Sequence, residues 1–311
     1  MSRSAEHDAR NAALKAALGT NELARAASQP TGNTVPAQCK DLGLAWEVED
    51  ISDSNGARIH WLGARGVPSV LLYFHGGGFG LGAFPGHIQF LASCMKKRDD
   101  KLVVAFLEYG LTPANRYPSP YVQATKALSH VVGSGYEPSN ILVGGDSCGG
   151  NMVLGLLSGI AHPTPAIPKL ELKTPLGGAL LISPWVSFST DWKSYRSNAG
   201  RDIVSSESML EWASDFVDPK DHNNYSEPIR AKSDWWKGLP VEDILLLWGS
   251  AEIFMDSDAQ LANTLADAGL KVTPRECANE VHIDCVLDAQ TGLPHGEMTE
   301  FIWAWLKKVC K

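Results

Sequence analysis

A serine stands between glycines at the junction of a strand-like run and a helix-like segment. The run of residues 141–150 reads ILVGGDSCGG. The pattern G-x-S-x-G between a strand and a helix predicts a tight, strained turn that exposes a serine hydroxyl at the carboxyl end of a sheet. Ser147 is therefore the candidate nucleophile, with Asp146 beside it as a supporting residue. The N–H group of Cys148, at the start of the helix, is expected to point toward a developing oxyanion, and its side chain is interpreted as a small space-filler.

A run of glycines follows an earlier strand-like segment. The motif HGGGF begins at His75, directly after the apolar run VLLYF. Consecutive glycines adopt backbone conformations forbidden to other residues, so that several N–H groups can face one point. We predict that Gly77 and Gly78 join Cys148 in an oxyanion hole, each donor contributing about 2.7–4 kcal/mol to the transition state. His75 and Gly76 are expected to support this loop.

A carboxylate and a histidine are expected after later strands, in the chain order serine, acid, base. The strand-like run ILLLW is followed by GSAEIFMDSD, which contains three carboxylates. Glu252 is nearest to the strand end, whereas Asp256 and Asp258 are better placed as N-terminal caps of the next helix. We predict Glu252 as the acid, with Asp256 as the fallback. His282, just beyond the last strand, is the candidate base, and His295 is expected at the surface.

Buried strand-like runs alternate with helical patterns along most of the chain, which is typical of parallel strands joined by crossover helices. This alternation predicts an α/β fold with a mostly parallel central sheet, flanked by helices and carrying a helical cap. The expected strands are 46–48 and 58–61, which suggest an antiparallel start, then 70–74, 102–107, 141–143, 178–182, 244–248 and 272–277. Helices are expected at 120–132, 151–160, 258–268 and 297–308.

Two segments do not follow this alternation of strand-like and helical patterns, and they divide the chain into four parts. We predict an N-terminal cap segment at 1–45, core segments at 46–186 and 241–311, and a cap insertion at 187–240. The first is expected to form an alanine-rich helix followed by a Pro/Gly/Thr loop. The insertion contains Trp192, Trp212, Trp235 and Trp236. It has two open interpretations, a lid over a binding cleft or a peripheral helical bundle with its own small core.

Composition narrows the classes of partner. The formal net charge of −8 disfavours nucleic acid and anionic membrane surfaces. No apolar run approaches the roughly 18 residues of a membrane span, and the charged start of the chain does not resemble a signal peptide. The six cysteines form no C-x-x-C pair, which favours reduced thiols and a cytoplasmic location. His282 and Cys285 alone do not make a metal site.

These motifs together resemble the hormone-sensitive-lipase-type (class IV) esterases of the α/β-hydrolase superfamily. HGGGF from His75 and GDSCGGN from Gly145 match that family's HGGGF and GDSAGGN, with cysteine in place of alanine. EYGLTP from Glu108 resembles its YRLAPE strand, and SPWV from Ser183 resembles its SPWV strand. The similarity runs from about residue 65 to the C-terminus. The overall look is similar to that of fungal members attached to secondary metabolism.

The resemblance implies carboxylic-ester hydrolysis by a Ser–Asp–His triad, under a cap built from the N-terminal helices and the later insertion. Alignment of the helix end LADAG puts Glu252 at the acid position and Asp256 on the family's second aspartate. Three departures stand out. The family acid is usually aspartate, Gly110 replaces the arginine of YRLAPE, and the family's HGF reads HID from His282. They weaken the transfer of fine substrate preference rather than of the core chemistry.

The sequence thus predicts a hydrolase for a small to medium, largely apolar ester that acts through an acyl-enzyme on Ser147. No metal or organic cofactor is expected, and a homodimer is one expectation because dimers are common among relatives. Two rival interpretations stay open. One is a same-fold acyltransferase, cyclase or dehydratase, in which the triad would look identical. The other is a receptor-like binder similar to plant gibberellin receptors, which the presence of His282 disfavours.

Overall fold

A single eight-stranded sheet organises the chain. The computed structural model describes residues 4–99 and 101–311. The strand order is β1-β2-β4-β3-β5-β6-β7-β8, with β1, β2 and β4 paired antiparallel and the other neighbours parallel. The strands are β1 (Trp46–Asp50), β2 (Arg58–Leu62), β3 (Ser69–Phe74), β4 (Leu102–Glu108), β5 (Ile141–Asp146), β6 (Gly178–Ile182), β7 (Ile244–Gly249) and β8 (Val272–Cys277). The predicted α/β fold with its antiparallel start is confirmed.

The interior strands are apolar on both faces. Every residue of β3, β5 and β7 is buried, as expected where crossover helices cover both sides of a parallel sheet. The edge strand β8 is more polar and carries Pro274, a residue that an edge position tolerates. The parallel strands therefore place the carboxyl ends of β3, β5 and β7 along the same side of the sheet, where the loops that follow these strands meet.

Helices pack on the sheet in two groups. They are α1 (Ala5–Ala17), α2 (Asn21–Ala27), α3 (Thr31–Leu42), α4 (Pro85–Lys96), α5 (Ser119–Gly133), α6 (Cys148–Ala161), α7 (Lys193–Ser197), α8 (Ser206–Phe216), α9 (Ser233–Trp236), α10 (Met255–Asp267), α11 (Asp284–Thr291) and α12 (Glu297–Val309). Helices α5 and α6 contact each other, whereas α4, α11 and α12 contact one another. None of the described helices combines the length and apolar character that a membrane span requires.

The N-terminal segment is more helical than expected. The prediction of a loop in the Pro/Gly/Thr stretch is wrong, because α3 runs through it from Thr31, with Pro36 inside the helix. Val35 and Cys39 are buried on α3, which packs against α4. Burial of this apolar face outweighs the low helix propensity of glycine, threonine and proline, since tertiary packing supplies most helical stability in proteins.

The insertion at residues 187–240 packs against two different parts of the fold. Trp212 on α8 lies over the glycine loop that follows β3, and Arg25 of α2 stacks on its ring at 4.6 Å. Trp235 instead stacks on His162 at the end of α6, with ring centroids 3.9 Å apart. One part of the insertion therefore covers the loops at the sheet edge, and another packs peripherally.

Candidate active site

The serine turn between β5 and α6 is strained in the way the motif predicts. Ser147 has φ 53° and ψ −123°, a left-handed conformation that costs energy for a residue with a side chain. The turn also brings α6 close to β3. A Cβ atom at Gly149 would lie 1.9 Å from the carbonyl oxygen of Phe74, so only glycine fits. Ser147 is 7% exposed, with its side chain at a cavity.

The glycine loop lines the same cavity. Gly77 and Gly78 have φ values of 108° and 60°, and both border the cavity together with Ser147. Positive φ is accessible to glycine at little cost. The backbone at these positions can therefore turn its N–H groups in directions that other residues could not reach.

Asp146 ties the glycine loop to the serine turn. Its buried carboxylate accepts hydrogen bonds from the Gly76 N–H at 3.0 Å and the Tyr73 hydroxyl at 2.8 Å. The Nε2 atom of His87, on α4, lies 3.2 Å from the same carboxylate. Burial alone would raise the pKa of Asp146, but His87 and the Tyr73 hydroxyl together lower it. The carboxylate therefore stays ionised and holds the start of the loop.

His75 and Cys148 fill the space behind the loop. The His75 Nδ1 atom lies 2.7 Å from the Gly76 carbonyl oxygen, and its Nε2 atom lies 3.2 Å from the Thr31 hydroxyl. Burial, aided by the nearby His87, lowers the pKa of His75 to about 4. Burial also raises the pKa of Cys148 to about 12. The imidazole is thus neutral and the thiol protonated.

Glu252 and His282 face each other beneath the cavity. The Glu252 Oε2 atom accepts hydrogen bonds from the Ser183 hydroxyl at 2.6 Å and the Gly249 N–H at 3.0 Å. Its Oε1 atom lies 4.0 Å from Nδ1 of His282, and within the described residues neither of these two atoms has a hydrogen-bond partner. Such contacts are often long without substrate and tighten in the reacting complex. One carboxylate oxygen is therefore fixed while the other is directed at the imidazole.

The environment of His282 favours its protonated form. Burial alone would lower the pKa of His282, but the carboxylates of Glu252 and Asp202 outweigh burial and raise it. A base placed in this way accepts a proton readily, and the adjacent negative charge stabilises the imidazolium that results.

The other two carboxylates of the acid loop have different surroundings. The Asp256 Oδ2 atom accepts the Ser194 N–H at 2.7 Å. Asp258 is fully buried, and burial together with nearby Glu252 raises the pKa of its carboxyl well above the usual range. The expectation that both residues cap α10 is wrong. The helix begins at Met255 with no side-chain cap, and both aspartates lie within its first turn.

Three residues near the site were not assigned a role from the sequence. Ser183 donates to Glu252 and its hydroxyl accepts the Ile283 N–H at 3.3 Å. His87 contacts Asp146, and Asp202 accepts the N–H of His282 at 3.1 Å. Ser183 belongs to the quoted SPWV motif, which offered a signal. His87 and Asp202 act across long chain separations and leave no local pattern. His295, by contrast, is exposed as expected, and its Nε2 atom lies 2.7 Å from Oε1 of Glu300.

The cavity above the serine is small and mostly apolar. Ser147 and His282 both line it, and its volume is about 50 Å³. A cavity of this size holds only a few water molecules. The apolar side chains around it are Leu18, Leu81, Phe84, Ile203, Val204, Met209, Trp212 and Ile283. No group of three or more His, Cys, Asp or Glu side chains among the described residues is arranged to hold a metal ion.

Comparison with known proteins finds similarity to alpha/beta hydrolases, several of them named esterases. A family model described as alpha/beta hydrolase fold matches residues 71–285. The chain is 24% identical over 208 residues to an esterase of Acinetobacter venetianus, and 25% identical over 224 residues to an acetyl-hydrolase of Streptomyces hygroscopicus. These alignments cover 65% and 71% of this chain, but 63% and 69% of those proteins. Among solved structures, an esterase from the bacterial hormone-sensitive lipase family is 23% identical, with a TM-score of 0.75 over 100% of both chains.

Proposed function

Since the chain belongs to the alpha/beta hydrolase family, we propose that it is a serine carboxylesterase that hydrolyses small, largely apolar esters. The observation that carries the proposal is the shared cavity of Ser147, His282 and the glycine loop, with Glu252 directed at Nδ1 of His282. The relatives named esterase and acetyl-hydrolase support the same reaction class. A place in secondary metabolism stays a prediction from sequence.

The proposed cycle has two acyl-transfer steps. His282 takes the proton of the Ser147 hydroxyl as its oxygen attacks the ester carbonyl carbon, and Glu252 stabilises the imidazolium. The N–H groups of Gly77, Gly78 and Cys148 receive the tetrahedral oxyanion. The C–O bond to the alcohol then breaks, and the alcohol leaves with the proton from His282. Water, deprotonated by His282, attacks the acyl carbon. The C–O bond to Ser147 then breaks, His282 returns the proton to the serine oxygen, and the carboxylic acid is released.

A direct test uses a fluorophosphonate probe and product analysis. We expect the probe to label Ser147, identified by mass spectrometry of the peptide, because it reports an activated serine beside a base. With p-nitrophenyl acetate, acetate and p-nitrophenol should form in equal amounts. An unlabelled serine would support a receptor-like binder instead. Acetate recovered mainly on an added alcohol acceptor would favour acyl transfer over hydrolysis.

The small cavity predicts a preference for short acyl chains. We expect kcat/KM to be at least about 10-fold higher for p-nitrophenyl acetate or butyrate than for p-nitrophenyl octanoate. The reason is that each methylene group that does not fit in the cavity loses about 0.8 kcal/mol of favourable burial free energy. Trp212→Ala should narrow this difference, since Trp212 lines the cavity. Trp235→Ala is the matched control in the same insertion, because Trp235 packs on His162. Equal rates across the series would contradict the assignment of the acyl site.

The raised pKa of His282 predicts the acidic limb of the pH profile. A general base acts in its neutral form, so activity is lost as pH falls through the pKa of the base. We expect kcat/KM for p-nitrophenyl acetate to fall on acidification with a midpoint above about 6.5, the ordinary value for histidine, because Glu252 and Asp202 hold the pKa up. Glu252→Gln should move the midpoint of its residual activity lower. A wild-type midpoint well below 6.5 would remove His282 from this role.

A further inference from the structure

We infer that Asp202 is a positioning residue. It holds both the loop that contains His282 (the histidine loop) and the loop that contains Glu252 (the acid loop), so that the histidine is in place only when the 187–240 insertion is packed on the core. The inference rests on the proposed function, and it extends that function to a residue of the 187–240 insertion that touches no reacting atom.

Asp202 is bonded to both loops at once. Its side chain is 1% exposed. The Oδ2 atom accepts the Ile253 N–H at 2.7 Å, and the Oδ1 atom accepts the His282 N–H at 3.1 Å. Ile253 directly follows Glu252 in the chain. A single carboxylate therefore fixes the backbone of the base and the backbone next to the acid.

The same carboxylate is itself held in orientation. Its Oδ1 atom also accepts the Ile203 N–H at 2.8 Å, so that three backbone donors converge on one side chain. Asn198, earlier in the same insertion, donates its side-chain amide to the Glu252 carbonyl oxygen at 2.8 Å. Ser194 adds a further bond, from its hydroxyl to the Ile253 carbonyl oxygen at 2.6 Å. The cap segment around Asp202 is thus attached to the acid loop at several points, through buried hydrogen bonds with few alternatives.

The N-terminal segment supports the histidine loop from another side. Arg10 of α1 pairs with Asp284 and Asp288 of α11, and all three side chains are buried. The Asp284 Oδ2 atom accepts the Val281 N–H at 3.1 Å. The two residues Val281 and His282 are therefore bonded through carboxylates that contact, or belong to, separate cap segments. Displacing the cap would remove the Asp202 bond to the His282 N–H and the Arg10 side chain that pairs with Asp284.

Replacement of Asp202 separates positioning from binding. Asp202→Ala removes both acceptors, whereas Asp202→Asn keeps the size but turns an NH₂ group toward one of the backbone donors. Because a misplacement of about 1 Å can cost about 10²-fold in rate, we expect kcat for p-nitrophenyl acetate to fall about 10- to 100-fold in both variants. KM should change less than kcat, since Asp202 itself does not line the cavity, although its neighbour Ile203 does.

The pH profile gives a readout that a purely structural role would not move. Asp202 is one of the carboxylates that favour protonated His282. Its loss should therefore shift the acidic limb of kcat/KM toward lower pH. The other titratable groups near this pair are Glu252, Asp258 of α10 and Tyr195 of α7, together with Asp146, and none of them is substituted in these variants. Glu211→Gln, an exposed carboxyl on α8, is the matched control and should leave kcat and the profile unchanged.

Hydrogen exchange tests the anchoring without reference to activity. In Asp202→Ala and Asp202→Asn, peptides that contain Ile253 and His282 should exchange faster, while the peptide across β5 keeps its protection. If the wild type shows no esterase activity, the proposed function fails and the exchange data still decide the anchoring. If the wild type is active but both variants retain more than half of kcat, or the two loops exchange as in the wild type, the inference is overturned. Should Asp202→Ala fail to fold, Asp202→Asn carries every readout.

Discussion

Ser147→Ala is expected to lower kcat for p-nitrophenyl acetate by about 10⁵- to 10⁶-fold, the order found when a nucleophile is removed from a serine hydrolase. The cause is direct, because no acyl-enzyme can form without the hydroxyl oxygen. The neighbouring Cys148 cannot replace it, since burial raises the pKa of its thiol to about 12. Steady-state assays with purified protein, and loss of fluorophosphonate labelling, measure the effect.

The matched comparison is with His282→Ala and with the double variant. In the proposed cycle the serine and the histidine act as one unit, so the double variant should be no slower than either single variant within a few-fold. Ser134→Ala, at the end of α5, is a control serine that should keep wild-type kcat. Turnover near the wild-type value in either single variant would eliminate the proposed mechanism, and multiplicative losses would mean that the two residues act independently.

Glu252→Gln is expected to lower kcat by about 10⁴-fold, the order seen when a triad acid becomes an amide. In the proposed cycle the carboxylate holds the proton on Nδ1 of His282 and stabilises the imidazolium. An amide supplies no negative charge, and its NH₂ group favours the wrong tautomer. The amide oxygen of the variant can accept the hydrogen bond that the Ser183 hydroxyl donates to Oε2 of Glu252 in the wild type, so the fold should persist. The thermal midpoint of unfolding, measured alongside kcat, checks this.

Asp256→Asn distinguishes the two carboxylates that the sequence left in competition. Asp256 bonds the Ser194 N–H at the start of α7 and makes no contact with His282 among those described, so we expect a loss of kcat smaller than about 10-fold. The acid assignment would pass to Asp256 if its variant were the more damaged of the two. A third variant, Glu252→Asp, shortens the side chain by one methylene and should fall between wild type and Glu252→Gln.

The fold and much of the candidate site were readable from sequence because their signals are local. The turn at Ser147 and the glycines at Gly77 and Gly78 depend on backbone conformations that neighbouring residue types dictate. Buried strands such as β5 and β7 appear as continuous apolar runs. The order of acid and base then follows from strand order. These features carry their own pattern in a few adjacent residues.

The features that sequence did not reveal depend on distant contacts. Asp202 bonds an N–H 80 positions away, and His87 contacts a carboxylate 59 positions away. Asp258 was interpreted as a cap because it stands at a helix start, yet the periodicity of α10 turns it inward with Leu261 and Leu265. Helix α3 forms through Pro36 because packing on α4 compensates for poor propensity. Only the folded chain brings such partners together.

The buried carboxyl of Asp258 affects the electrostatic environment of His282, the proposed base, by remaining uncharged. Because burial and Glu252 keep its proton bound, Asp258 adds volume and a dipole to the interior but no net charge. If Asp258 were ionised, its negative charge would stabilise the protonated form of His282 and raise the pKa of that histidine. The transfer of the proton from His282 to the departing alcohol would then be slower. In the proposed cycle, the acidity of the His282 imidazolium is therefore set mainly by Glu252, with smaller contributions from Asp202 and Asp146, which also raise the pKa of His282.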